Sequence, residues 1–520
     1  MNKLKDWSAT ILLIILFTGL HDTLMAQEFF MKSYGGNSEE KKARIASAPD
    51  GGFLIAATTK SFAVSTDLYL VRVNNEGQKL WTKTIGTPEH EVYGNVPAWS
   101  VKTVPEGGFI ILGSTGSFYP DWYVVRINND GDTLWTRTFG DPNLQSGDYG
   151  SSILATSDGG FLLAGSIGLS TIGLVKLNSS GDTLWTKFLG SSPNDGWAPS
   201  SLTETPNGDF ILSGNINSNV GNGFLMRINP AGEVLWSKSY GGPRSDRFLD
   251  VKCTQDGSII AFGHYSYFLN STDNENFLVL RTDGNGNPLW HKNLNYLKYD
   301  KGYSISLLND GFAFSGISSP SSGFYPVVFK TDFSGNLQFS NVYNEPNSAW
   351  GGNLLHAQDG SFFLSGDNMD NMQNCTITRT DSLGFNCRAS FASINDTLIP
   401  LESQVINTVN FPRTLVRKNS VTTVSSGGTE NSVCSNTGIE MQIEAANASG
   451  IFPNPCSDCF LKTGDDAGFW ICSDIFGRRI PLTFSQSSNG YQLNFEKGFA
   501  PQVLFLKNSL TGKHLRFNKF

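Results

Sequence analysis

The chain has 520 residues and a formal net charge of −8; 16% of its residues are charged and 12% aromatic. That balance excludes a protein working mainly through nucleic-acid phosphates or anionic lipid, since such binding rests on clustered Lys and Arg. The length exceeds one ordinary core, and 55 glycines point to many short strands and tight turns.

Residues 1–26 carry the pattern of an export signal. Lys3 and Lys5 precede an apolar run, Ala9–Leu20, too short to span a bilayer, and Leu24-Met25-Ala26 offers a cleavage site before Gln27. The expectation is a secreted or outer-surface protein with no transmembrane segment after cleavage. Next stands Phe30-Met31-Lys32-Ser33-Tyr34-Gly35-Gly36, which matches Trp236-Ser237-Lys238-Ser239-Tyr240-Gly241-Gly242 far downstream.

A tandem unit then runs to Arg388. Its marker is an Asn- or Asp-x-x-Gly turn, at Asn74/Gly77, Asn128/Gly131, Asn178/Gly181, Asn229/Gly232, Asp283/Gly286, Asp332/Gly335 and Asp381/Gly384. An aromatic follows six of these turns, at Trp81, Trp135, Trp185, Trp236, Trp290 and Phe339, with spacings of 49 to 54 residues. A second hairpin signal recurs at Asp50-Gly51, Glu106-Gly107, Asp158-Gly159, Asn207-Gly208, Asp256-Gly257, Asp310-Gly311 and Asp359-Gly360. Gly supplies the positive φ such turns need, and Asn or Asp bonds its own backbone. Each unit reads as four short strands with no helical period, the signature of a propeller blade.

The ends of the array carry a separate argument. The seventh unit breaks off at Cys387 without its last strand, while an extra copy of that strand, Phe29–Tyr34, stands before the first unit. A ring closed by strands from both ends explains the displacement, because closure removes exposed edges. Residues 27–388 therefore read as a seven-bladed β-propeller closed by an N-terminal strand.

The loops leading into each inner strand should gather at the channel mouth. They place acids beside aromatics at Asp148-Tyr149, Asp195 with Trp197, Asp246 with Phe248 and Asp300 with Tyr303, with Trp99 and Trp350 at related positions. Aromatic faces beside carboxylates suit sugar rings, so these ten residues are the candidate ligand site. In the alternative the aromatics wedge between blades and the acids cap turns; repetition favours that architectural role. The basic positions Arg72, Arg126, Lys176, Arg227, Arg281, Lys330 and Arg379 lie two residues before their turns and are expected to pair structurally near a hairpin. The longest departures from the repeat are Pro88–Ala98 and Tyr265–Asn276.

Enzyme motifs are thin. The 6 histidines fall at no metal-ligand spacing, there is no Gly-x-Ser-x-Gly elbow, and no metal or cofactor is indicated. Any two loop acids could still serve glycoside cleavage. The 7 cysteines are an odd number, and Cys387 with Cys434 is one pairing open to an exported chain.

Residues 389–445 are rich in Ser, Thr and Asn and read as a spacer with irregular strands. Residues 446–520 read as a small all-β domain with a basic end. It holds Pro453-Asn454-Pro455, then Asp474-Ile475-Phe476-Gly477-Arg478, then a Lys-containing terminal strand. In these motifs the segment resembles the C-terminal sorting domain of cargo for the type IX (Por) secretion system. The resemblance implies a β-sandwich-like fold, the secretion machinery as partner of residues 446–520, and passage across the outer membrane. The repeats likewise look similar to the Trp- and Gly-rich repeats of such exported proteins.

The sum is an exported, monomeric, all-β binding or adhesion module for a carbohydrate or protein ligand, with no nucleic-acid partner. An extracellular polysaccharide hydrolase or lyase using acids of the channel-face loops is the alternative.

Overall fold

The computed structural model describes residues 28–437, apart from short segments of which 87–99 is the longest, and the strands within 450–519. Two compact units divide the chain, one holding Phe30–Cys434 and the other Ser435–Phe520. All regular structure among the described residues is β, and no helix is long and apolar enough to cross a membrane.

The turn chemistry sets the local structure. In the third unit Asn178 Oδ1 accepts from the amides of Ser180 (3.0 Å) and Asp182 (2.8 Å), while Gly181 N donates to Asn178 O at 3.1 Å. Gly181 sits at φ +77°, and the strand register shifts between Lys176 and Leu177. This is a type I turn closed by a glycine bulge, and it joins the third and fourth strands of a unit.

Each unit folds as an antiparallel meander. The first runs through Glu40–Ser47, Phe53–Thr59, Asp67–Val73 and Lys79–Gly86. Its two middle strands are buried at every position, which accounts for their mainly apolar character, with Thr58, Thr59, Asp67 and Arg72 as buried polar exceptions toward the strand ends. The fifth and sixth units share one larger sheet through a single parallel pair, Glu275 with Tyr299. The N-terminal strand Glu28–Gly35 completes the seventh unit, pairing antiparallel with Asn374–Thr380 in the register Phe30↔Arg379 to Tyr34↔Cys375.

The cores lie between units rather than within them. Leu54 and Leu70 of the first unit pack with Phe109 and Val125 of the second, and comparable clusters join each following pair. A last cluster joins the seventh unit to the first through Phe30, Phe363 and Ile377 against Ile55 and Tyr69. With each large apolar side chain contributing roughly 1.5–3 kcal/mol, these clusters dominate the stability of the array. The result is a propeller-like all-β fold.

The repeated Trp and Gly meet across units. A Cβ on Gly131 would stand 2.6 Å from the Trp81 ring of the preceding unit. Gly181 has the same relation to Trp135, Gly232 to Trp185, Gly286 to Trp236, Gly335 to Trp290 and Gly384 to Phe339. Phe30 covers Gly77 in the same way, and Tyr34 Oη donates to Gly77 O at 2.5 Å. The N-terminal strand thus makes toward the first unit the contacts that each outer strand makes toward its successor.

Residues 389–437 differ from an irregular spacer. Their short strands pair with the outer strands in descending order. Ala389–Phe391 lies on the sixth unit, Asn395–Asp396 on the fifth, Glu402–Val405 on the fourth and Val409–Asn410 on the third. Val416–Lys418 lies on the second, Thr423–Ser425 on the first and Thr429–Thr437 on the N-terminal strand. Between them Ala392, Leu401, Ile406 and Phe411 drop into successive inter-unit cores. The segment covers the outer strand edges that each meander would otherwise expose.

The second unit of the chain is all-β as well. One sheet holds Gly450–Phe452, Cys459–Lys462, Gly490–Phe495 and Leu482–Ser487; another holds Trp470–Asp474, Gln502–Asn508 and His514–Lys519. Asp474 ends a strand, while Pro453, Asn454, Pro455, Gly477 and Arg478 lie outside the described residues. Residues 1–26, Cys387 and the Cys434 side chain do so too. Cys253 and Cys375 are free thiols.

Candidate functional site

The innermost strands carry a bulge. Register shifts fall between Lys41 and Arg44, Gly150 and Ser152, Pro199 and Ser201, Phe248 and Asp250, Gly302 and Ser304, and Gly351 and Leu354. An ordinary strand alternates its faces, but a bulge turns two consecutive side chains the same way. Ser151 with Ser152, Ser200 with Ser201, and Leu249 with Asp250 therefore all line one central cavity of about 130 Å³.

One inner-strand column holds neighbouring units together. Six residues before each first-hairpin acid or Asn stand Arg44, Ser100, Ser152, Ser201, Asp250, Ser304 and Asn353. Ser100 Oγ accepts from Ile153 N (3.2 Å), Ser152 Oγ from Leu202 N (3.1 Å), Asp250 Oδ2 from Ile305 N (2.9 Å) and Ser304 Oγ from Leu354 N (3.1 Å). Each bond links an inner strand to the next unit's inner strand. Arg44 and Asp250 break the serine pattern with charge.

The cavity wall is consequently uneven. Units two to four contribute Ser100, Ser151, Ser152, Ser200 and Ser201, whereas Arg44, Lys102, Arg247, Lys252, Asp250 and Tyr303 supply charge and a phenol. Asp250 is held by Lys252 Nζ at 2.7 and 2.8 Å and by Ser201 Oγ at 2.7 Å. Burial pushes the Asp250 carboxyl up, but Lys252, Lys102 and the Ile305 amide outweigh it and hold the group below the usual carboxylate range. Burial, with Lys252 adding to it, pushes the Lys102 ammonium down to about 8. Burial pushes the Tyr303 phenol up to about 12 against the pull of Arg44 and Arg247. Burial, then Arg247 and Lys301, push His264 down to about 3, so the imidazole beside the wall is neutral.

The fifth unit is also the longest. Its strands Ile259–Leu269 and Thr272–Thr282 have 11 residues each, against 7 in the corresponding strands of the first unit. The extension falls on Tyr265–Asn276, the departure visible in the sequence; the other, Pro88–Ala98, lies outside the described residues. Glu275 of this hairpin pairs with Lys301 at 3.2 Å.

The ten residues nominated from the loops part company. Asp148 accepts from the amides of Asp141 and Gly168, both at 2.8 Å. Asp246 accepts from Gly242 N (2.7 Å) and Ser266 N (2.9 Å). Asp300 accepts from Tyr296 N (2.8 Å), Leu297 N (3.2 Å) and the Ser318 hydroxyl. All three are buried, and desolvation outweighs those bonds to push their carboxyls up to about 6, 7 and 7. They cap loop backbone. Trp197 and Phe248, 1% and 0% exposed, lie in the inter-unit cores and present no ring face for stacking. Tyr149 is half-buried next to Gly147 and Pro120. Of the ten, Tyr303 lines the cavity. Trp99, Asp195 and the Trp350 side chain lie outside the described residues.

The seven basic positions pair, but with the first hairpin rather than their own turns. Lys176 meets Asp158, Arg227 Asp209, Arg281 Asp256, Lys330 Asp310 and Arg379 Asp359 at 2.6–3.1 Å, and Arg72 meets Asp50. Arg126 instead donates to Gly107 O at 2.5 Å. Among the described residues no group of three or more His, Cys, Asp or Glu is placed to hold a metal.

Sequence reasoning missed the cavity cations Arg44, Lys102, Arg247 and Lys252. The column six residues before the hairpin acid would have exposed part of the wall, since Arg44, Asp250 and Asn353 stand there among serines.

No family model and no curated protein matches the chain. Among solved structures it is similar to a protein of unknown function from Dyadobacter fermentans DSM 18053, at 11% identity and TM-score 0.38, covering 67% of this chain and 97% of that one. A subtype N11 neuraminidase-like protein of A/flat-faced bat/Peru/033/2010 (H18N11) is similar at 11% identity and TM-score 0.38, covering 68% and 91%. Sqt1 from Chaetomium thermophilum is similar at 11% identity and TM-score 0.40, covering 68% and 85%.

Proposed function

We propose that the chain is an exported, closed seven-bladed β-propeller acting outside the cell, as a monomer, as a binding or adhesion module for a carbohydrate or protein ligand. Seven meanders in sequence, with Phe30 on Gly77 repeating the Trp-on-Gly contact, support the closed count. The export signal in residues 1–26 and the sorting motifs in residues 446–520 support delivery by type IX secretion to the surface or medium. The observation that carries the binding role is the wall asymmetry: a repeated serine lining interrupted by Arg44, Lys102, Arg247, Asp250, Lys252 and Tyr303 around one cavity. A purely architectural wall has no need of half-buried unlike charges, which are costly to desolvate.

The hydrolase or lyase alternative has less support, because Asp148, Asp246 and Asp300 spend their oxygens on backbone donors. A glycan array screened with the full chain, beside turnover assays on the same polysaccharides, separates the two. Saturable binding without product is the expected result; product lost on changing one loop acid would overturn it.

A further inference from the structure

We infer that the central cavity binds the anionic group of an acidic saccharide, with Arg44, Lys102 and Arg247 as its charge partners and the serine wall facing its hydroxyls. This rests on the binding-module reading and specifies its ligand class. The protein as a whole carries −8, yet among the described residues the cavity lining holds four cations against the single carboxylate of Asp250. Lys252 takes that carboxylate through both oxygens. Arg44 spends one bond on Ala43 O at 3.1 Å, while Lys102 and Arg247 make no hydrogen bond or ion pair among the described residues. Half-buried positive charge that meets carboxylates only through space, as Lys102 meets Asp250 and Arg247 meets Glu275, is incompletely compensated, and an anion entering the cavity relieves it.

Shape and polarity narrow the class. The cavity is smaller than the roughly 300–1,000 Å³ typical of drug-sized ligands, so it takes one charged end of a ligand rather than a length of chain. Guanidinium groups present paired donors that match a carboxylate or sulfate edge. In the same lining Ser200 has no hydrogen-bond partner among the described residues, and Ser151, which donates to Ala164 O at 3.1 Å, keeps lone pairs free. Cations and hydroxyls lining one cavity suit a sugar acid better than a simple anion. The long hairpin of the fifth unit is a second break in symmetry in the unit whose inner strand supplies Arg247, Asp250 and Lys252.

Calorimetric titration of the full chain with sodium glucuronate, glucose and sodium sulfate tests the inference. Glucuronate should bind at least about tenfold tighter than glucose or sulfate, and Arg247→Gln and Lys102→Met should each weaken it about tenfold or more. Lys83→Ala, on the outer face, should leave it unchanged, and melting curves identify any variant that fails to fold. Equal binding of glucose and glucuronate, or full affinity in folded cavity variants, would overturn the anionic site while leaving the module reading in place. Sulfate binding as tightly as glucuronate would overturn the saccharide and leave an inorganic-anion site. No titratable binding of glucuronate overturns the inference; only the further absence of any hit on the glycan array removes the module reading as well.

Discussion

Aspartates at the two ends of the third and fifth units live in opposite environments. At the turn end Asp158 and Asp256 sit at the surface beside Lys176 and Arg281. Burial still pushes Asp158 up, but Lys176, Thr156 and Gly160 outweigh it and bring it to about 2; Thr254 and the Ser258 amide bring Asp256 to about 2. At the loop end Asp246 and Asp300 are buried on backbone amides and rise to about 7. The residue type is shared; desolvation decides the chemistry. In both places the carboxylate is architectural. Among the described residues, the one carboxylate lining the cavity stands on an inner strand, at Asp250, where the repeat is broken.

The largest test of this contrast is pH. Folded Asp246 and Asp300 keep their protons to about pH 7, whereas unfolded they release them near 4, so the native state binds more protons in between. Stability should therefore fall as pH rises from about 4 to 7, by several kcal/mol for the two together. His264, held near 3, acts in the opposite direction up to about pH 6.5, because there the unfolded chain binds the extra proton. Urea midpoints of the parent and of an Asp246→Asn, Asp300→Asn double variant, taken at pH 4.5 and 7, check the sign. A decline as steep in the variant as in the parent would show that these groups are not its source. Asp158 and Asp256 work the other way: their contribution is present above about pH 4 and is lost as pH falls toward 2.

A smaller effect sharpens the account of the turn end. Gly131 and Gly208 both have positive φ, at +78° and +83°, but a Cβ on Gly131 meets Trp81 while one on Gly208 meets nothing within 4 Å. Gly208→Ala should cost about 1 kcal/mol from backbone strain alone. Gly131→Ala should cost about 3 kcal/mol, because the neighbouring ring must also move. Equal losses in denaturant melts would remove the inter-unit lock. The smallest effect belongs to Lys83→Ala. Its ion pair with Asp132, 2.7 Å long, bridges the first two units at the surface, and no change in the melting midpoint should be resolvable.

The repeat made the meanders legible because Gly and Asn have a local mechanism in turns. Glu28–Gly35 was legible through its likeness to Trp236–Gly242. What the sequence hid is non-local. Trp81 and Gly131 are both conspicuous, but their contact joins different units and has no fixed spacing signal. The strands over residues 389–425 are 2 to 4 residues long, too short for any periodic pattern, and their pairing order runs against the chain. Trp197 and Asp300 look like site residues in sequence, since an aromatic beside an acid reads the same in a pocket and in a core. The cations Arg247 and Lys252 flank Asp250 on a bulged strand, so their shared orientation toward the cavity is invisible to an alternation count.

The central cavity exists only if the array closes, and closure rests on the N-terminal strand lying against Asn374–Thr380. Cysteines introduced at Met31 and Thr378, which face each other in the register, measure this directly. Mild oxidation of the full-length double variant followed by peptide mass mapping should recover the peptide carrying position 31 joined by a disulfide to the one carrying 378. Recovery of the two peptides unlinked, from a protein that melts like the parent, would contradict the closed ring and the cavity built on it.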